Sequence, residues 1–255
     1  FNLSDYQSEV TKFDNESKEL GNWYVGQKQG EIWGYETYGL FQSEQEIAGA
    51  ANQDKVSGGI KLMPGDIRFV DRNNDGVIDW GDNTVDNPGD KKIIGNSTPR
   101  YHYGINLGAD WKGFDLGIFF QGGGKRDLYL PGTSFRSHYG SEWQVPSAYN
   151  NDYWTEENTG AYFPRARFNG GSAINQAQTR YMVDASYCRL KSVSIGYTLP
   201  KVLTQKASIE KIRIYFTGEN LFTISDTPDG LDPELDNPYT YPMQRSLSVG
   251  LSLTF

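Results

Sequence analysis

Strict alternation of apolar and small polar residues marks the last stretch of the chain, from Arg245 to Phe255. A period of two places the apolar side chains on one face of a β-strand and the small polar ones on the other. In a soluble sandwich the apolar face would pack on a core. In a transmembrane barrel it would meet lipid, and about nine to eleven residues would cross the membrane. The alternation alone leaves both open. The apolar positions are Leu247, Val249, Leu251, Leu253 and Phe255.

Further segments of the chain also predict strands. Residues 101–111, 114–121, 189–199 and 211–219 alternate over most of their length, and residues 31–41 are rich in Gly and aromatic residues. Together with the terminal strand they predict an all-β fold of about six antiparallel strands.

The connections between these strands favour a barrel. If the terminal strand ends on the periplasmic side, the short connections are all periplasmic and the long ones all extracellular, which is typical of bacterial outer-membrane barrels. A sandwich has no reason to sort its loops in this way. The short connections are 112–113 and 200–210, and the long ones are about 42–100, 122–188 and 220–244.

The composition supports the all-β fold and argues against several other classes of protein. No run approaches the eighteen apolar residues of a transmembrane helix, whereas 14% aromatic residues and 29 Gly suit an all-β protein. The formal net charge of −8 argues against a nucleic-acid partner, which would need a basic surface. Cys188 is the single cysteine, so no internal disulfide is expected. Because the chain starts at Phe1 without a signal peptide, we expect a mature product or a fragment.

An acidic segment predicts a structural calcium site. Residues 71–82 match the pattern of a twelve-residue calcium loop, with oxygen ligands at alternate positions and Gly76 at the turn. Asp82 stands where an EF-hand has Glu, and no long helices flank the loop, so a calcium sensor is not expected. The alternative is a metal-free loop of Asx-turns. The predicted ligands are Asp71, Asn73, Asp75, the carbonyl of Val77, Asp79 and Asp82.

The long segment 122–188 is rich in aromatic residues. Trp and Tyr combine a large apolar area with a polar tip, so they could contact a substrate or a lid, or pack the loop against itself. Glu156 and Glu157 are adjacent rather than facing, which does not suggest a glycosidase pair, and no enzymatic activity is expected. The candidate contact residues are Trp143, Tyr149, Tyr153 and Trp154.

Several segments of the chain resemble SusC/RagA-type TonB-dependent outer-membrane transporters. They occur in the family's order and cover most of the chain, but they correspond only to the C-terminal quarter or so of a family member. The segments are Val25–Phe41, Pro64–Asp71, Gly95–Tyr101, Glu219–Thr223, Asp229–Glu234 and Tyr241–Phe255.

The resemblance implies part of a large barrel of about twenty-two strands that another segment completes and an N-terminal plug closes. It implies import of oligosaccharides or peptides, powered through TonB by way of the missing N-terminal part, with a SusD-like lipoprotein over the outer face. Residues 1–255 would form one partial barrel without a plug, and Leu247, Val249, Leu251 and Leu253 would face lipid. The alternatives are a soluble secreted glycan-binding sandwich stabilised by calcium, and a passive porin.

Overall fold

The computed structural model of the chain describes residues 1–130, 152–166, 172–235 and 240–255. Trp143 and Tyr149 lie outside these residues. The described part is built mainly of strands and forms two compact units. The sheet unit contains residues 1–6, 99–126 and 184–255, and the loop unit contains residues 7–98 and 127–183.

The strands vary widely in length, and the helices are short. The strands are β1 Asn2–Ser4, β2 Glu31–Tyr35, β3 Thr37–Leu40, β4 Ile67–Phe69, β5 Lys91–Asn96, β6 Arg100–Trp111, β7 Phe114–Gly124, β8 Asp127–Tyr129, β9 Met182–Asp184, β10 Tyr187–Thr198, β11 Lys211–Glu219, β12 Thr223–Ser225 and β13 Ser246–Thr254. The α-helices are α1 Glu44–Ala48, α2 Asp54–Ser57 and α3 Lys201–Thr204, and short 3-10 helices cover Ala173–Asn175, Thr179–Tyr181 and Gln205–Ala207. None of the helices in the described ranges has the length and apolar character needed to span a membrane.

An antiparallel sheet dominates the sheet unit. Its strand order is β1-β6-β7-β10-β11-β13, and β12 pairs with the first three residues of β10. Lys112 and Gly113 form the turn between β6 and β7, both with positive φ, which matches the twist of a tight hairpin. The four long alternating segments and the terminal strand therefore form strands as the sequence predicts.

The sixth predicted strand, residues 31–41, does not join this sheet. It is divided at Glu36 into β2, which pairs with β5, and β3, which pairs with β4. The reason is burial: Tyr35 and Phe41 belong to the core of the loop unit. The edge position beside β6 is taken instead by β1, whose Leu3 is paired with Tyr103. A strand of three residues is too short to show a period, so the sequence gives no sign of it.

The register assembles one continuous apolar face on the sheet. Residues paired across antiparallel strands share a face, and successive apolar pairs run from β6 to β13. The row nearest the β6–β7 turn is Trp111, Phe114, Tyr197, Ile214 and Leu251; the next is Ala109, Leu116, Ile195, Phe216 and Val249; the third is Leu107, Ile118, Val193, Gly218 and Leu247.

An ion pair crosses the opposite, polar face. Arg213 on β11 donates two hydrogen bonds to Asp115 on β7, with the Nε–Oδ1 distance at 2.9 Å. The intervening strand β10 has Gly196 beneath the pair, and a Cβ there would lie 2.4 Å from Oδ1 of Asp115. Glycine is therefore required for the two charges to meet over the backbone.

Replacing Gly196 with Ala is expected to separate Arg213 from Asp115 and to lower the free energy of unfolding, because the added Cβ occupies the space in which the two side chains meet. Gly117→Ala on β7 is the matched control, since a Cβ at that position meets nothing within 4 Å. Urea unfolding of the detergent-solubilised full-length protein measures both variants. If Arg213 and Asp115 keep their coupling in a double-mutant cycle made on the Gly196→Ala background, the steric argument is wrong.

The loop unit has a core of its own. Tyr35 and Phe69 rings lie 5.4 Å apart between centroids, and Gln53 donates to the carbonyl of Ile67 and accepts from the amide of Phe69. The helix α1 is capped by Ser43, whose side chain accepts a hydrogen bond from the amide of Glu46. Residues 42–100, which the sequence predicts to form a long loop, are therefore part of the folded loop unit.

Candidate functional site

A buried cluster of charges ties a loop to the sheet unit, and Arg189 on β10 is its centre. Its side chain is 3% exposed. The guanidinium donates from Nε to Thr223 Oγ1 (2.7 Å), from Nη2 to Asp232 Oδ1 (2.7 Å) and from Nη1 to Glu234 Oε2 (2.6 Å). Lys191 also donates to Glu234 Oε2, at 3.0 Å. We call these five residues the Arg189 clasp.

Backbone groups complete the clasp. Asp232 accepts from the amides of Glu234 and Met243, and Arg126 donates from Nη1 to the carbonyl of Pro233 at 2.6 Å. Burial alone would raise the pKa of Asp232, but the hydrogen bonds from Arg189 and from those two amides outweigh it and hold the pKa below its usual value. A cavity of about 370 Å³ borders Arg189 and this loop. The clasp therefore fixes residues 231–235 against β10.

The sequence analysis does not predict the clasp, although both the loop segment and Arg189 have features in the sequence that point to it. The segment Asp229–Glu234 was singled out only for its resemblance to a family. Arg189 stands next to Leu190 at the start of an alternating strand, where a fully buried Arg needs carboxylate partners. What the sequence does not show is which carboxylates these are, because Asp232 and Glu234 lie more than forty residues further along the chain.

The acidic loop brings the first three predicted calcium ligands into one turn. Asp71 accepts from the amides of Asn74 (2.7 Å) and Gly76 (2.9 Å), while Asn73 and Asp75 are joined by a side-chain hydrogen bond of 2.8 Å. Asp75 also accepts from the amide of Val77. Asn74 and Gly76 have positive φ, as a tight Asx-turn requires.

The last two predicted ligands are engaged elsewhere. Asp79 pairs with Lys55 at 2.7 Å and accepts from the amide of Gly81; the hydrogen bond from Lys55 and then that from Gly81 lower its pKa. Asp82 accepts from Asn87 at 2.8 Å. Among the described residues, no group of three or more His, Cys, Asp and Glu side chains lies close enough together to hold a metal ion. The six predicted ligands are thus not gathered at one point.

The two described aromatic candidates differ in accessibility. Trp154 is 3% exposed, its Nε1 donates to Gln42 Oε1, and the Arg165 guanidinium lies 4.6 Å from its ring centroid. It therefore packs inside the loop unit, in line with the alternative that the aromatic residues pack the loop against itself. Tyr153 is exposed, and its backbone pairs with that of Phe163.

The apolar face of the sheet unit lacks the cover that a sandwich would supply. Val249 is 79% exposed, and Leu247, Leu251 and Leu253 are exposed as well. A soluble sandwich would pack these side chains under a second layer of its own backbone. No such layer covers them in the part of the chain that the structure describes.

Comparison with known proteins agrees with this architecture. No protein-family model matches the chain. It is 31% identical over 247 residues to a TonB-dependent receptor of Formosa agariphila, covering 90% of this chain and 22% of the relative. It is 29% identical over 194 residues to the TonB-dependent receptor SusC of Bacteroides thetaiotaomicron, covering 73% of this chain and 17% of the relative. The homologues of the chain are therefore TonB-dependent receptors, SusC among them, and the chain aligns with one segment of each.

The fold of this segment also matches solved structures. The RagAB peptide transporter superposes with a TM-score of 0.66 at 21% identity, over 98% of this chain and 24% of that one. The chain thus has the predicted fold class, a portion of a large antiparallel β-barrel. The chain spans between 17% and 28% of the length of the relatives that it matches in sequence.

Proposed function

We propose that the chain is a wall-and-loop segment of a bacterial outer-membrane importer that works without enzymatic chemistry. The observation that carries this proposal is the continuous apolar face of the sheet, uncovered from β6 to β13. Such a face is stable against lipid and unstable in water. The homology to TonB-dependent receptors supports it.

The substrate class follows from the relatives and is part of the proposal. The structure described as a peptide transporter supports import of peptides, and the resemblance of the sequence segments implies oligosaccharides or peptides. On this proposal the sheet unit lines the lumen with its polar face, and the loop unit is extracellular. A SusD-like lipoprotein covers the outer face, and the TonB complex acts through a plug in another part of the protein. Tyr153 is the one described and exposed candidate for contact with substrate or lid.

The test is uptake by cells that express the full-length protein. We expect the protein in the outer-membrane fraction, and we expect cells that depend on it to grow on an oligosaccharide or a peptide mixture as sole carbon source. Deletion of TonB should abolish that growth. Growth that is independent of TonB would identify a passive porin. Recovery of the protein as a folded monomer in detergent-free buffer would contradict the proposal.

Calcium remains part of the proposed function as a structural ion of the loop unit. Asp71, Asn73, Asp75 and the carbonyl of Val77 would hold it, since hard oxygen donors at this spacing suit Ca²⁺. Binding by Asp79 as well would compete with its ion pair to Lys55. The ion would stiffen the turn and supply no chemistry.

We expect Asp71→Ala and Asp75→Ala each to remove bound calcium from the full-length protein and to raise the rate of proteolysis in the acidic loop. Asp86→Ala is the matched control, an exposed aspartate outside the ligand set. Elemental analysis after gel filtration measures the ion, and mass spectrometry locates the cleavage. Unchanged calcium content and protease resistance in both variants would leave the metal-free Asx-turn loop as the correct description.

A further inference from the structure

One end of the sheet unit carries an excess of positive charge. The β6–β7 turn and the connection from β10 to β11 lie at the same end, and both are short. Four exposed lysines and Arg213 lie there, against the three acidic residues Asp110, Asp115 and Glu210, of which Asp115 is paired with Arg213. This is the reverse of the whole chain, which has a net charge of −8. The lysines are Lys112, Lys201, Lys206 and Lys211.

Large apolar side chains lie among these lysines. Trp111 is 67% exposed, and in the short helix α3 Val202 and Leu203 are 73% and 61% exposed. The Lys112 ammonium lies 5.0 Å from the centroid of the Trp111 ring, so the cation and the ring form one surface. Exposed apolar groups between lysines are costly in water but suit the boundary between hydrocarbon and headgroups.

On the apolar face of the sheet, aromatic residues lie nearest this end of the strands and aliphatic residues lie further along them. The row nearest this end has Trp111, Phe114 and Tyr197, with the last two rings 4.5 Å apart between centroids. The next two rows on the same three strands are aliphatic throughout. Side chains with an apolar body and a polar tip gather where a membrane ends.

We propose that this end of the sheet unit docks on the phosphate-bearing headgroups of anionic phospholipids. The docking surface consists of Trp111, Lys112, Lys201, Val202, Leu203, Lys206 and Lys211. This proposal rests on the proposed outer-membrane function. It adds the position at which the membrane boundary crosses the chain and the charge of the lipid that binds there. The lysines attract the phosphates, while Trp111, Val202 and Leu203 insert beside the acyl chains.

The position of the boundary is tested by fluorescence quenching of the full-length protein in vesicles whose lipids are brominated near the headgroup or near the methyl end of the acyl chain. The Trp111 signal is the difference between wild type and Trp111→Phe. We expect it to be quenched more by the shallow bromine. Leu107→Trp in the Trp111→Phe background is the control, because it lies on the same strand and face about 13 Å further along. It should be quenched more by the deep bromine.

The lipid charge is tested by the phosphatidylglycerol that stays with the purified protein. A lysine near an anionic surface contributes roughly fivefold to binding. The triple variant Lys112→Gln, Lys201→Gln, Lys206→Gln should therefore retain severalfold less of this lipid. Lys12→Gln, Lys18→Gln, Lys28→Gln, with the same change of charge in the loop unit, should retain the wild-type amount.

The outcomes separate the two proposals. If Leu107→Trp is quenched but Trp111 is not, or if the two triple variants retain equal lipid, the docking surface is wrong and the importer stands. If neither tryptophan is quenched, the sheet unit does not lie in lipid, and the proposed function itself fails. Displacement of phosphatidylglycerol by inorganic phosphate alone would identify a free anion site and overturn the lipid assignment.

Discussion

Replacing Arg189 with Met is expected to lower the stability of the clasped loop by about 3–5 kcal/mol. The cause is the loss of the guanidinium that neutralises Asp232, whose side chain is nearly as buried as that of Arg189. A buried carboxylate left without its partner carries the full cost of desolvation. Because each 1.4 kcal/mol is a factor of ten in an equilibrium, the open form of residues 226–235 should rise more than a hundredfold.

Limited proteolysis of the full-length protein measures this change, since cleavage under mild conditions follows the population of the open form. Lys191→Met is the matched control: it removes a second cation from the same Glu234, but one that is more exposed. We expect it to cost about 1 kcal/mol or less. Arg189→Lys should fall between the wild type and Arg189→Met, because it keeps the positive charge but its single nitrogen cannot reach all three acceptors of the planar guanidinium.

A rescue variant distinguishes lost charge pairing from lost packing. Combining Arg189→Met with Asp232→Asn and Glu234→Gln removes the unpaired charges and should recover much of the protease resistance.

The lowered pKa of Asp232 also sets the pH range over which the clasp is stable. Its contribution to stability is present above the ordinary carboxyl pKa and is lost only as pH falls through the lower pKa of the folded state. Cleavage of the wild-type loop should therefore be unchanged from neutral pH to about pH 5. Rapid cleavage already at pH 5 would contradict the clasp.

The sequence predicts the long strands of the sheet unit because each of them has one apolar face. The strand β11 has the predicted bounds, and β6, β7, β10 and β13 are within a few residues of them. This success comes from a period of two that holds over most of each strand, which burial or lipid on one side explains. Residues 31–41 show the limit of the method. Their aromatic residues are also typical of a strand, but Tyr35 and Phe41 are buried in the loop unit, and no local pattern indicates which unit a strand will join.

The candidate sites differ in the same way: some contacts are local in the sequence, and others join distant residues. The turn that holds Asp71, Asn73 and Asp75 is local, so its spacing predicts it. The ion pair of Asp79 with Lys55 and the clasp of Arg189 with Asp232 and Glu234 join residues far apart in the chain. Such pairs depend on the fold of the connecting segments, and a charge pattern alone does not select them.

Replacing Val249 with Arg is expected to have the second large effect, a loss of about 2–4 kcal/mol in the folding of the full-length protein into a bilayer. Val249 lies in the middle of β13, on the apolar face, beside Phe216. A guanidinium at this depth has to be buried in hydrocarbon or drawn to the headgroups at the expense of packing. Ser248→Arg is the matched control. It introduces the same side chain one residue away, on the polar face beside Thr217, and should cost less than about 1 kcal/mol.

Urea titration of folding into phosphatidylcholine vesicles gives both values, and the amount of protein assembled in the outer membrane gives an independent measure in cells. The comparison between Val249→Arg and Ser248→Arg is informative because both variants place the same Arg side chain at neighbouring positions of β13, on opposite faces of the sheet. If the two variants were equally stable, β13 would be in water on both faces. If Ser248→Arg were the worse variant, the polar face would be the buried one, and the orientation proposed for the sheet would be reversed.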